Sequence, residues 1–145
     1  MSWIFETSPS FAFVFLRLGL AITFFFHGTQ QVLGWHGGRG FNGMLANWNE
    51  KYGIPKPIGA AAMFIEFFGS FALLVGFLTR PFAFGLAIFM AMAIQKAHWE
   101  HGFFLARRPE EGSGIEYCLA LFLMAMALLI GGGGALSIDG LLSRQ

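Results

Sequence analysis

Four apolar runs divide this chain, and a few polar side chains interrupt them. They extend from about Phe11 to Leu33, Pro57 to Leu78, Pro81 to Ala97 and Ile115 to Ile130. At about 1.5 Å per residue, the first run is long enough to cross roughly 30 Å of hydrocarbon. Ser8, Pro9 and Ser10 suit its start, and Gly34 ends it. Thr79, Arg80 and Pro81 make a tight turn between the second and third runs. Between the first and second, Phe41, Met44, Leu45, Trp48 and Tyr52 recur at helical spacing, while Asn42, Asn47, Asn49, Glu50 and Lys51 take the other faces. That pattern predicts a short amphipathic helix lying in the membrane interface, stopped by Gly53 and Pro55. Gly131 to Gly134 unravel the fourth run and leave SIDGLLSRQ as a short tail. The expected fold class is all-α: a polytopic membrane protein with a four-transmembrane-helix bundle, one domain over residues 1–145 and a short interfacial helix in the first loop.

Composition agrees with that pattern. Apolar residues make up 56% of the 145, mean hydropathy is +0.63, and only 12% are charged. A soluble domain carries about twice that charge. The net charge of +1 gives no reason to expect nucleic acid as a partner. Cys118 stands alone, so there is no internal disulfide and no CxxC for thiol redox chemistry or zinc. No Lys or Arg precedes the first run, which is too long for a signal-peptide core and lacks an A-x-A-like cleavage site, so a retained span is expected. Four spans put both termini on one side. Arg39, Lys51, Lys56, Lys96, Arg107 and Arg108 lie on the other, where the positive-inside rule expects the cytoplasm.

The chemistry lies in the interruptions. Hydrocarbon solvates polar side chains poorly, so those within spans need partners or a purpose. Antiparallel packing brings His27, Gln30, Gln31, Gln95, His98, Glu116 and Tyr117 to similar depth in the loop-side half, with Glu66 near the centre. Arg17, Phe24, His27 and Gln31 share an arc of roughly 80° on the first helix, and Gln30 points away from Arg17. Gln95 and His98, three apart, share a face. Arg17 and Glu66 form the natural ion pair, read either as a structural clamp or as a prop for a polar cavity. His and Gln are suitable donors to a quinone carbonyl. Axial haem b ligation by His27 and His98 is an outside reading, because two histidines at one depth are a weak signal. Interhelical hydrogen bonding alone is the structural alternative. The loop sequence GWHGGRG lacks the spacing of a nucleotide motif.

The ordered motifs carry a resemblance. RLGLAITFFFHGTQQVLGWHGGRGFNG resembles the opening signature of the DoxX family, an arginine and a glycine followed by HGxQK-[LF]-G and a glycine-rich loop. IEFFGSFALLVGFLTRPFAFGLAIFMAMAI is similar to its E-x-x-G-G, G-[LF]-[LF]-T-R and third-span pattern, GFF with the later G-I-E-Y to its GFF…G-x-E-Y, and LSID to its closing [YF]-S-[LI]-D. Gln31 stands where the family often has lysine. The resemblance implies a four-helix protein of the bacterial cytoplasmic (inner) membrane, with a redox or quinone link. It singles out Arg17, His27, Gly28, Gln30, Glu66, Thr79, Arg80, Glu116 and Tyr117.

Two readings follow. In the first, the chain is a quinone-interacting subunit of a membrane oxidoreductase system. The quinone would be held by His27, Gln30, Gln31, Gln95, His98 and Tyr117, with Glu66 and Glu116 relaying protons and Arg17 setting their charge state. Electrons would come from a redox partner protein or substrate, since the chain has no metal, dinucleotide or thiol-pair motif. In the second, the chain is a non-catalytic scaffold that anchors a soluble redox enzyme or handles a lipid-like molecule. A transporter is a weaker third reading. Small residues on the helix faces make a homo-oligomer plausible.

Overall fold

The computed structural model describes residues 2–108 and 110–144. These fold into helices α1 (Ser2–Phe5), α2 (Ala12–Val32), α3 (Gly40–Tyr52), α4 (Lys56–Val75), α5 (Thr79–Ala93), α6 (Glu116–Gly131) and α7 (Ile138–Leu142). Single 3₁₀ turns cover Trp35–Gly37 and Trp99–His101, and a π-helical turn, Ile94–His98, extends α5. Among the described residues, three helical segments are long and apolar enough to cross a membrane: Ala12–Val32, Lys56–Val75 and Thr79–His101. The fourth apolar helix, Glu116–Gly131, is shorter.

α2, α4, α5 and α6 pack side by side in a ring, α2 mainly against α4 and α6 mainly against α5. Their shared core includes Leu20, Phe24, Leu73, Leu86, Leu121 and Leu128, all buried. The outer faces expose Phe15, Ile22, Phe68, Phe84, Ile88 and Leu123, an apolar belt that suits lipid rather than water. Gly28 lets α2 approach α4: a Cβ there would lie 2.8 Å from the Phe67 backbone. That contact sets the antiparallel register of the two helices.

α3 is the expected amphipathic helix, but its apolar face rests on the bundle. Trp48 packs on Phe89 of α5 (ring centroids 5.7 Å apart) and Phe41 on Phe64 of α4 (5.5 Å). The tail is folded as well. The tetraglycine stretch turns tightly beside the start of α2, where Ser8 N donates to the Gly131 carbonyl at 2.9 Å. α7 then returns beneath the α4–α5 turn, capped by Ser137.

Candidate functional site

Between α2, α5 and α6, in the loop-side half of the bundle, lies a cavity of about 350 Å³. That volume falls in the range of small-molecule sites. Its walls are mostly apolar and aromatic, with Phe24, Phe89, Met90 and Leu121 in the bundle and Trp48 and Tyr52 from α3. Its polar lining includes His27, Gln31, Glu66, Lys96, His98 and Tyr117. Cys118 lies in the wall too.

The innermost pair is Gln31 with Glu66. The Gln31 amide Nε2 donates to Glu66 Oε2 at 3.1 Å, and both residues are buried. Glu66 Oε1 and Gln31 Oε1 have no protein partner. Buried polar atoms are nearly always matched, so two unmatched oxygens beside a cavity mark where a ligand or water belongs. Chemically, the pair offers hydrogen-bond acceptors, an amide donor and a carboxyl that can carry a proton.

The outer polar groups come from the loop end. His98 sits in the π turn, and its Nδ1 lies 2.7 Å from the Ser113 carbonyl. That contact ties the second loop over the cavity and leaves the other ring nitrogen free of it. The loop folds back on α6: Glu116 N donates to the Phe103 carbonyl at 2.9 Å, and Gly114 N to Phe104 at 2.9 Å. Leu105, Ser113 and Gly114 thereby become part of the roof.

Four sequence candidates lie elsewhere. Gln95 and His98 diverge because the π turn is wider than an α turn; Gln95 sits on the outer side with Ile94 and Trp99. Gln30 reaches back to the His36 carbonyl at 3.4 Å, under the glycine-rich loop. Glu116 accepts from Leu105 N at 3.2 Å and holds the loop to α6. Arg17 does not pair with Glu66. The register set by Gly28 and Phe67 puts Arg17 beside Gly76, ten residues from Glu66 and so about 15 Å along the axis. Arg17 Nη2 instead donates to the Leu136 carbonyl at 3.1 Å.

This reveals a second polar cluster, at the terminal end. Asp139, 1% exposed, accepts from the backbone N–H of Leu78 and of Thr79, both at 2.8 Å, and so caps α5. Its own N–H donates to the Gly76 carbonyl at 2.9 Å. Arg80 donates to the Glu6 and Leu129 carbonyls (3.2 and 3.1 Å) and stacks on Trp3. Glycine suits position 76, since its φ is +68° and a side chain would run into the Arg17 guanidinium. Leu78 and Leu136 hold left-handed φ of 50° and 53°, and Asp139 and Arg17 pin their backbones. The motifs LTR and LSID were the sequence signal for this cluster.

Among the described residues, no group of three or more His, Cys, Asp or Glu could hold a metal ion. The DoxX family model matches residues 12–99, which carry His27, Gln31, Glu66 and His98. No curated protein and no solved structure matches the chain. Apolar helices and the family match together make this a multi-pass membrane protein. The match spans more than half of the sequence, and the chain belongs to the DoxX family.

Proposed function

We propose that this chain is a quinone-interacting subunit of a membrane oxidoreductase system in the bacterial cytoplasmic membrane. It is one membrane domain with four spans, α2, α4, α5 with its π and 3₁₀ extension, and α6. α6 alone is about 24 Å long. Phe103, Phe104 and Leu105, bonded to its first turn, add apolar height at the loop end.

One observation carries the reading: a partly aromatic cavity at membrane depth, with two buried, unpartnered oxygens on Gln31 and Glu66. A quinone headgroup fits these residues. Phe24, Trp48 and Phe89 offer flat contact, while the amide of Gln31, the imidazoles of His27 and His98 and the phenol of Tyr117 can donate to ring oxygens. When bound, a quinone supplies two-electron, two-proton redox chemistry. The protein's own residues orient the ring, exclude water and handle protons. Glu66 holds or passes a proton at Oε1, and Gln31 fixes the carboxyl through Oε2. The electrons come from a partner protein or substrate.

Organic extraction of the protein purified in mild detergent, followed by mass spectrometry, tests this. Quinone at near-stoichiometric level, lost in His27→Ala and Gln31→Ala, is the expected result. Equal quinone in the wild type and both variants would reject the site.

A second reading, a membrane anchor for a soluble redox enzyme, draws on the exposed Phe103–Phe104–Leu105 turn beside Arg107 and Arg108. It predicts that partner capture fails when this turn is replaced and survives His27→Ala.

A further inference from the structure

The seams around the cavity are unequal. At its terminal end the α2–α6 seam is tight: Gly19 faces the Met124 methyl and Gly131 faces the Phe13 ring. These two pairings fix the antiparallel register of α2 and α6. Seven residues before Met124 stands Tyr117, and eight after Gly19 stands His27, so the two reach one height on facing sides of the seam. Both are exposed, Tyr117 by 41%, and both line the cavity. Side chains that touch the inside and the outside together frame an opening. Thr23 and the exposed Ala120 form its small-residue sill.

The outside at this level is apolar. Ile22 and Phe26 flank the opening on α2, and Leu123 flanks it on α6. The water-facing end is roofed by Trp48, Tyr52 and the second loop, which the His98–Ser113 contact pins in place. The competing way in passes Lys96, an exposed residue at the headgroup end of the cavity wall.

We infer that the cavity is entered sideways from the bilayer, between α2 and α6 and past His27 and Tyr117. Its ligand is then a lipid-dissolved molecule with a polar ring head and a hydrocarbon tail that stays in the seam. This rests on the reading that the cavity is the ligand site, but it makes a separate claim about access. The polar head crosses the threshold between an imidazole and a phenol, which replace hydrogen bonds given up at the headgroup level. The tail keeps its contact with Ile22, Phe26 and Leu123.

Cys118, the single thiol, lines the cavity and reports on the route. The full chain in phosphatidylcholine nanodiscs is treated with pyrene maleimide, which partitions into lipid, or with a sulfonated maleimide confined to water. A charged reagent is excluded from hydrocarbon, so the lipid-phase reagent should alkylate Cys118 more than about tenfold faster. Ala120→Trp, which fills the sill, should slow that reaction, and Tyr117→Ala, which widens the frame, should speed it. The opposite signs separate access from misfolding. Equal rates for the two reagents, no response to either substitution, or no alkylation by either reagent would overturn the proposal. The readout is access rather than occupancy, so absence of bound quinone would count against the function and leave the portal standing.

Discussion

At the terminal end of the bundle, Asp139 uses both carboxylate oxygens on the α5 backbone, and Arg80 spans two carbonyls. Ser137 donates to the Gly134 carbonyl and accepts from Gly140 N. At the loop end, Gln31 and Glu66 share a single hydrogen bond, leave two oxygens unmatched, and face a cavity. Both ends bury polar side chains to a similar degree, so burial does not separate them. Where the unmatched polar atoms lie does. The terminal end also has unmatched atoms, Arg17 Nε and Nη1 and Thr79 Oγ1, but none borders the cavity. Polar groups spent on backbone make a plug that fixes how α4, α5 and α7 meet. Polar groups held partly in reserve beside open volume mark the candidate site.

That contrast can be broken most sharply at Asp139. Asp139→Ala strands the buried Thr79 N–H and the half-buried Leu78 N–H, and a loss of about 3 kcal/mol is expected, read as a fall in the melting temperature in detergent. Gly76→Ala comes next, at about 2 kcal/mol by the same assay, because a methyl at φ +68° meets the Arg17 guanidinium. Arg80→Lys keeps the charge but cannot span both carbonyls, and about 1 kcal/mol is expected. Glu66→Gln is smallest in stability, within about 1 kcal/mol, since a neutral amide of the same shape fits beside Gln31. A melting temperature that fell more for Glu66→Gln than for Asp139→Ala would invert the comparison.

Much of the architecture was legible because apolar runs report burial and length directly. The same holds for α3, whose aromatic face repeats at helical spacing. Periodicity gives the angle of a side chain on its own helix but not the register between helices. Arg17 and Glu66 therefore looked like partners by charge, and only the Gly28–Phe67 contact shows them far apart along the axis. Gln95 was misread for a related reason, because α-helical angles do not apply across the π turn at Ile94–His98. The terminal cluster was hidden by sequence distance. Asp139 follows four glycines in what reads as a tail, about sixty residues from the N–H groups it caps. His27, Gln31 and Glu66 were legible as interruptions of apolar runs, but which of their atoms lack partners is a property of packing alone.

The most direct test is a binding titration of a tailed quinone, followed by quenching of tryptophan fluorescence, since Trp48 lines the cavity. Wild type, Glu66→Gln and Gly76→Ala are compared at a temperature where all three are folded. The account predicts more than about tenfold weaker binding in Glu66→Gln with its melting temperature nearly unchanged. In Gly76→Ala it predicts a lowered melting temperature with wild-type affinity. Wild-type affinity in Glu66→Gln, or no quenching in any of the three proteins, would contradict the assignment of this cavity as a quinone site.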